Sequence, residues 1–176
     1  MEDITETCIQ HAPPPDLPYT NWICYPTFLV GTYPRNDDVT KIKNMGITHF
    51  ISLLEEKEIK NYYESRKDIN LLHFPIPDRK IVSNKKALEI GNIIYNLLEN
   101  GTKIFLHCKG GKGRTGTIAA IILIIKGLQL NNILKLLKKS IESRVIQGRC
   151  PKMPQTAIQH KQLVYIYNNI KNTIPI

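Results

Sequence analysis

The chain has 176 residues, 42% of them hydrophobic, and its 24 Lys and Arg against 15 Asp and Glu give a formal net charge of +9. This composition is typical of a globular protein with one domain and a sizeable core, and it excludes a disordered or disulfide-rich chain. The longest apolar run, 118–125, is too short to cross a membrane, and the acidic first residues lack the apolar core of a signal peptide.

The cysteines and the charge set the first expectations about environment and partners. Four cysteines lie far apart without zinc-ligand spacing, so we expect no metal, no cofactor and a reducing, cytoplasmic location. The positive charge favours anionic partners, among them phosphoproteins, inositol lipids, nucleic acids and membrane surfaces. Because lysine is frequent throughout, the scattered lysines fit general solubility equally well. We expect a monomer without a transmembrane segment.

In chain order, residues 1–20 come first, and their prolines at 13–15 and 18 favour an extended segment ahead of a domain spanning 21–176. Hydrophobic patterning then predicts a series of elements. These are a strand at 27–31, a short helix at 37–43, a strand at 48–54, a charged helix at 55–67 and a strand at 71–76.

The second half of the chain continues the alternation. Ser83 or Asn84 is expected to cap a helix that runs to Leu98, before Asn100-Gly101 stops it. A central strand is predicted at 103–107, followed by helices at 115–125, from Asn131 to about 143, and at 155–171. Strands that alternate with helices predict an α/β fold with a mostly parallel, twisted sheet of four to five strands and helices on both faces.

The stretch from 107 to 115, His-Cys-Lys-Gly-Gly-Lys-Gly-Arg-Thr, is the most informative part of the chain. It connects a strand to a helix, where backbone N–H groups bind anions without side chains. Glycines at 110, 111, 113 and 116 are expected to let the backbone turn with these groups pointing inward. The same positive field is expected to hold Cys108 as a thiolate, and Arg114 offers a planar fork for two phosphate oxygens. The pattern indicates the site of a phosphatase.

Two other nucleotide-binding patterns are disfavoured at this place. Residues 111–116 fit G-x-G-x-x-G, but no acidic residue follows at about 20 residues, as the dinucleotide-binding fingerprint requires. In addition, Lys112 and Arg114 are long and charged where the backbone has to approach a pyrophosphate. A Walker A motif is absent because Gly113 stands where that motif has Ser or Thr.

The arrangement His107-Cys108, five residues, Arg114-Thr115 resembles the signature loop of the cysteine-based protein tyrosine and dual-specificity phosphatases. Trp22 with residues 28–34 resembles the opening strand of small dual-specificity enzymes, 46–53 their second strand and 74–78 their general-acid loop. The resemblance covers roughly residues 22 to 165, in the family's order. It implies a single-domain phosphatase fold over 21–176.

Chemistry and resemblance together suggest roles for the residues of this loop. Cys108 is expected to attack phosphorus and form a cysteinyl-phosphate, and Arg114 to bind the phosphate and its transition state. Thr115 is expected to donate its hydroxyl to the sulfur, and His107 to order the loop as a buried histidine. The residues between them are assigned to substrate binding. These are Lys109, Gly110, Gly111, Lys112 and Gly113.

Asp78 is the predicted general acid. It follows a strand in Ile-Pro-Asp, at the position where the resemblance places the acid, although a turn-capping Asp is the ordinary alternative. The departure from Trp-Pro-Asp favours the dual-specificity branch over the larger tyrosine-specific enzymes. Glu55 or Glu56 is the alternative acid.

Other residues receive weaker predictions. Gln159 resembles a glutamine that orients the hydrolytic water in some relatives, and helix capping explains it equally well. Arg144 and Arg149 are expected to face solvent, with a secondary phosphate pocket as the alternative. Cys8, Cys24 and Cys150 are expected to have no chemistry.

The substrate class stays open at this stage. A phosphorylated protein is the leading prediction, with phosphotyrosine as the main target and phosphoserine or phosphothreonine in addition. Lys109 and Lys112 make the loop similar to that of phosphatases acting on the 3-phosphate of inositol lipids, so an inositol phosphate or phosphoinositide is the alternative substrate. A catalytically inactive phosphate-binding module is the alternative of another class. No specific nucleic-acid partner is expected, because no aromatic stacking platform accompanies the charge.

Overall fold

A central sheet of five strands organises the computed structural model, which describes residues 12–13, 15–59 and 69–173. The strands are Thr20–Cys24 (β1), Phe28–Gly31 (β2), His49–Ser52 (β3), Asn70–His73 (β4) and Ile104–His107 (β5). Their order across the sheet is β1-β2-β5-β3-β4. β1 runs antiparallel to β2, and the other neighbours are parallel. The predicted α/β fold with a mostly parallel sheet is therefore confirmed.

The register aligns the carboxyl ends of the three central strands. Gly31 of β2 and Ser52 of β3 both pair with His107 of β5. Cys108 therefore leaves the sheet at its carboxyl edge, which is where open α/β sheets bind their ligands.

Helices cover both faces of the sheet. In the described part of the chain they are Asn36–Asn44 (α1), Asn84–Glu99 (α2), Gly113–Ile125 (α3), Leu130–Glu142 (α4) and Ala157–Thr173 (α5). Side chains alternate along β5, so Ile104 and Leu106 join a core formed with α2, α3, α4 and α5, whereas Phe105 joins a second core with Val39 and Ile42 of α1. α3 is buried along residues 113–124, because it lies between the sheet and the neighbouring helices.

Several local predictions are confirmed at the level of single residues. Ser83 caps α2 by accepting a hydrogen bond from the Lys86 amide at 3.2 Å. Gly101 ends this helix region with a φ of 78°, a conformation that favours glycine.

No helix of the described ranges combines the length and the apolar character needed to span a bilayer.

Other boundaries differ from the predictions. α4 starts after Gln129, two residues before the predicted cap Asn131, and β4 ends at His73 rather than at residue 76. Residues 56–58 form a turn instead of the first part of the predicted helix at 55–67, and 60–68 lie outside the described residues. β1 was not predicted as a strand. It lies at the edge of the sheet, and Leu17 just before it packs into the core around α1.

Candidate active site

The loop between β5 and α3, residues 108–112, contains a backbone position that only glycine can occupy. Gly111 has a φ of +61°, and a Cβ on it would lie 2.2 Å from the carbonyl carbon and oxygen of Gly31. Gly110, Gly113 and Gly116 do not have positive φ, so the expectation that all four glycines adopt conformations which a Cβ resists is wrong. At Gly113 and Gly116, glycine is needed because of close packing. A Cβ on Gly113 would be 3.0 Å from Gln159, and one on Gly116 would be 2.4 Å from Met153.

The start of α3 is available for an anion. The first amides of any α-helix lack intrahelical acceptors and carry the positive end of the helix dipole. At α3 the N-cap position is Lys112, which makes no side-chain capping hydrogen bond. The Lys112 side chain therefore leaves the first amides of α3 uncapped, and Cys108, at the other end of the loop, is only 3% exposed.

Arg114 lies at the floor of the loop between two carboxylates that are distant in sequence. Its side chain is 1% exposed, and Nη1 donates to Glu58 Oε2 at 2.5 Å while Nη2 donates to Glu58 Oε1 at 3.3 Å. Nη2 also lies 2.9 Å from Asp78 Oδ1, and Nη1 donates to the Ile76 carbonyl at 3.0 Å. Burial alone would lower the pKa of Arg114, but the hydrogen bond to Glu58 and the field of Cys108 raise it above its ordinary value.

Sequence reasoning missed Glu58 altogether. Glu58 and Arg114 are 56 positions apart, and no acidic residue close to Arg114 in the sequence marks it as paired. Glu58 lies in the charged stretch after β3, where nothing in the pattern distinguishes it from Glu55 or Glu56. The parallel pairing of β3 with β5, in which Ser52 lies opposite His107, brings this stretch close to Arg114.

Asp78, the predicted general acid, is brought to the loop by its contact with Arg114. Its side chain is 52% exposed, so it lies at the boundary between the buried guanidinium and solvent. The Asp78 amide donates to Glu55 Oε2 at 3.3 Å, and the Glu55 amide donates to Glu58 Oε2 at 3.0 Å. The alternative acid Glu55 thus supports the turn at Asp78, whereas Glu56 is exposed near His73.

Thr115 and His107 are fully buried on opposite ends of the loop. Thr115 Oγ1 has no hydrogen-bond partner within the described ranges, so its hydroxyl is available to a group in the loop. Burial lowers the pKa of His107 to about 3, against the opposing effect of a hydrogen bond with the Cys108 backbone. The His107 ring stacks on Phe105 at a centroid distance of 5.4 Å. With a pKa this low, His107 is neutral near pH 7, and its ring is packed in the interior.

The two loop lysines differ in their surroundings. Lys109 is exposed, and its carbonyl accepts a hydrogen bond from the Tyr33 amide at 3.3 Å. Lys112 Nζ donates to the Cys150 carbonyl at 2.9 Å, so in this structure its ammonium contacts the segment after α4. Burial and the charge of Arg144 lower the pKa of Lys112. Of the two, Lys109 is the exposed residue, and its charge is among the causes that lower the pKa of Glu58.

Gln159 joins the beginning of α5 to two loops. Its Oε1 accepts from the amides of Gln155 and Thr156 at 3.1 Å, and its Nε2 donates to the Lys80 carbonyl at 3.4 Å. The amide group therefore caps the helix, as one of the two alternatives expected. Gln155 is exposed, and its Oε1 lies 3.1 Å from the place of a Cβ on Gly113.

Arg144 differs most from its prediction. It is 3% exposed, whereas Arg149 is exposed as expected. Its Nη2 donates to the Gly111 carbonyl at 2.6 Å and its Nη1 to the Gly110 carbonyl at 3.4 Å. The prediction that Arg144 faces solvent is wrong, because the chain after α4 returns beneath the loop.

No group of His, Cys, Asp and Glu in the described part of the chain is arranged to hold a metal ion.

Comparisons with known proteins agree on one kind of domain. The family model described as "PTP-SAK: Swiss Army Knife protein, DSP-PTPase phosphatase domain" matches residues 17–162. "Putative tyrosine phosphatase 197R" of Invertebrate iridescent virus 6 is 28% identical over 152 residues, which is 82% of this chain and 53% of the viral protein. "Phosphatidylglycerophosphate phosphatase PTPMT2" of Arabidopsis thaliana is 28% identical over 99 residues, which is 54% of this chain and 43% of the plant protein.

The chain spans about half the length of the curated relatives it matches. Among solved structures, a mutant form of Tk-PTP superposes with a TM-score of 0.73 at 24% identity, covering 88% of this chain and 98% of that one. This likeness shows a shared fold.

Proposed function

Because this chain belongs to the DSP-PTPase phosphatase domain family of the Swiss Army Knife proteins, we propose that it is a cysteine-dependent phosphomonoester hydrolase of the protein tyrosine and dual-specificity type. The catalytic domain is proposed to be the predicted span 21–176, extended to include Leu17 and Thr20, which already belong to the core and to β1.

The first step of the proposed reaction transfers the phosphoryl group to sulfur. The Cys108 thiolate attacks phosphorus, the bond to the ester oxygen breaks, and Asp78 gives that oxygen a proton. Arg114 and the amides at the start of α3 bind the three other oxygens, whose charge grows in the transition state. The products are a free alcohol or phenol and a cysteinyl-phosphate.

The second step releases phosphate. Water attacks phosphorus, gives a proton to the Asp78 carboxylate, and the sulfur–phosphorus bond breaks to return the thiolate. The Thr115 hydroxyl, which has no hydrogen-bond partner in the described part of the chain, is proposed to donate to the departing sulfur. Gln159 is held by its capping contacts, so its proposed part is to support the loop rather than to bind the water.

One observation carries the proposal. Arg114 Nε and Thr115 Oγ1 are both buried, and neither has a hydrogen-bond partner among the residues described. Buried polar atoms in native proteins are nearly always satisfied, and each one left unsatisfied costs about 1–3 kcal/mol. Both atoms lie in the first turn of α3, directly after the loop that holds Cys108, so we propose that the oxygens of a bound phosphate supply the missing partners.

Hydrolysis of an aryl phosphate with and without orthovanadate tests the activity. We expect vanadate-sensitive release of the phenol by the wild type and none by Cys108→Ser. Cys150→Ser is the matched control, because it makes the same change at an exposed cysteine. Phosphate binding without turnover would instead support the inactive binding module, and undiminished turnover by Cys108→Ser would exclude Cys108 as the nucleophile.

The proposed substrate is a phosphorylated protein, with phosphotyrosine as the main target. A phospholipid or inositol phosphate monoester is the second candidate, favoured by the charge distribution. Residues 100–176 contain 13 Lys and Arg and one Glu, a formal charge of +12, whereas residues 1–99 contain 11 Lys and Arg and 14 Asp and Glu, a formal charge of −3. The half with the signature loop is thus the cationic half, which suits substrates with several anionic groups. The name of the plant relative points to the same class.

Relative kcat/KM values on phosphotyrosine peptides, phosphoserine peptides, phosphatidylglycerophosphate and polyphosphorylated inositides separate the two candidates. Lys109→Gln is the informative variant, and Lys135→Gln, at an exposed position of α4, is its charge-matched control. For a protein phosphatase, Lys109→Gln lowers kcat/KM similarly on all substrates. A loss confined to lipids and inositides would favour the second candidate.

A thiolate nucleophile also needs a reducing compartment, so a cytoplasmic location is proposed.

A further inference from the structure

Arg144 follows α4 and contacts the back of the signature loop. Its two Nη atoms donate to the carbonyls of Gly110 and Gly111, and its Nε donates to Asn21 Oδ1 on β1 at 2.5 Å. Asn21 Nδ2 donates in turn to Ser140 Oγ at 3.0 Å. Asn21, Ser140 and Arg144 are all buried, so β1 and α4 hold the guanidinium in one orientation.

These contacts fix the direction of two peptide groups. In a trans peptide the C=O and the following N–H point in opposite directions. Because the carbonyls of Gly110 and Gly111 point at Arg144, the amides of Gly111 and Lys112 point away from it, toward the other side of the loop. Arg144 thereby orients donors that a phosphate needs, without touching the phosphate itself.

Arg144 also differs from Arg114 in its charge balance. Arg114 lies between two carboxylates, Glu58 and Asp78, so its positive charge is already compensated before any substrate binds. The Arg144 guanidinium, in contrast, contacts only neutral acceptors in the described ranges. Burial lowers its pKa to about 10, with the field of Cys108 opposing, so it keeps its proton at pH 7. A buried charge without a counter-ion is unfavourable, and an anion in the loop relieves it.

We propose that Arg144 is a positioning residue of the phosphate site. It orients the amides of the signature loop, and its positive charge, which has no carboxylate partner in the described ranges, favours a bound oxyanion. The inference rests on the proposed function, since it assumes a phosphate in this loop. In this proposal Arg114 contacts the phosphate directly, whereas Arg144 acts through the backbone of Gly110 and Gly111.

Asn21→Asp tests the charge without removing the contacts. The change puts a carboxylate at the atom that now accepts from Arg144 Nε, and the Ser140 hydroxyl can donate to it. Arg144 then has a carboxylate partner, and its hydrogen bonds to the carbonyls of Gly110 and Gly111 are kept. We expect the dissociation constant of orthovanadate and of inorganic phosphate, measured by calorimetry at pH 7, to rise at least about fivefold. The melting temperature should stay the same or rise.

Asn131→Asp is the matched control, because it adds the same charge at an exposed position in the first turn of α4, at the other end of that helix from Arg144. It should bind both oxyanions as the wild type does. Equal affinities in Asn21→Asp and wild type would overturn the role of the charge. If Asn21→Asp does not fold, Arg144→Lys is the deciding variant, because it keeps a positive charge but loses the planar guanidinium. Wild-type affinity of Arg144→Lys for the two oxyanions would overturn the orienting role.

The same measurement distinguishes failure of this inference from failure of the proposed function. A wild-type protein that binds neither orthovanadate nor phosphate would overturn the phosphate site, and the role of Arg144 with it. Tight binding by the wild type that is unchanged in Asn21→Asp would leave the phosphate site intact and remove only the inference about Arg144.

Discussion

Replacement of Glu58 by glutamine tests how Arg114 is held in place. Both oxygens of Glu58 accept hydrogen bonds from the guanidinium, and the two side chains are 14% and 1% exposed. Breaking a buried ion pair costs about 3–5 kcal/mol. Glutamine keeps one acceptor but turns an NH₂ group toward the second Nη atom, while Asp78 remains as a counter-ion. We therefore expect Glu58→Gln to lower the free energy of unfolding by about 2–3 kcal/mol at pH 7.

The pH dependence of this loss makes the test specific. The hydrogen bond from Arg114 holds the pKa of Glu58 below its ordinary value of 4.5, with burial opposing. A carboxyl whose pKa is lowered by folding contributes its full stability above the unfolded pKa and loses it as the pH falls through the folded pKa. The stability difference between wild type and Glu58→Gln should therefore be constant from pH 7 to about 5 and shrink below pH 4.5.

Urea unfolding at several pH values gives both quantities, since a shift of the midpoint at constant slope reports stability. Glu89→Gln is the control. Glu89 lies 3.5 Å from Lys86 in an exposed pair on α2, and such pairs contribute less than about 1 kcal/mol. If Glu58→Gln cost no more than Glu89→Gln, or if its cost did not change with pH, the ion pair would not be what fixes Arg114.

Three further changes probe the loop, the acid and a helix cap. Gly111→Ala should abolish orthovanadate binding and lower the melting temperature, because its Cβ would meet the Gly31 backbone at 2.2 Å; wild-type binding would contradict the loop geometry. Asp78→Asn should slow hydrolysis of alkyl phosphates by about 100-fold or more while phosphate binding is kept, and an unchanged pH–rate profile would exclude Asp78 as the acid. Ser83→Ala should cost about 1 kcal/mol in urea unfolding through the lost cap on Lys86, with activity unchanged, and a neutral result would exclude that cap.

Four strands of the sheet, most helices and the signature loop could be predicted from the sequence because each leaves a local signal. The strand at 103–107 and the helix at 115–125 are apolar runs separated by glycines, and Ser83 stands at the expected cap position. β1 was missed because it follows the proline-containing segment and lies at the edge of the sheet. The pairing of β1 with β2 depends on the tertiary structure, and the sequence around Trp22 does not indicate it.

The charges around the loop could not be predicted in the same way, because no periodicity indicates which carboxylate or guanidinium returns to it. Glu58 reaches Arg114 across the carboxyl edge of the sheet, and Arg144 reaches Gly111 only because α4 ends beneath the loop. Both side chains are polar residues in stretches rich in polar residues, for which an exposed position is the ordinary expectation. A buried charge nevertheless has to be compensated by a partner, and the two arginines differ in this respect. Arg114 has carboxylates on two sides, so we expect a phosphate to compete with Asp78 for it. Arg144 has no carboxylate partner among the described residues, so on our proposal an anion in the loop adds to the field of Cys108 in compensating its charge.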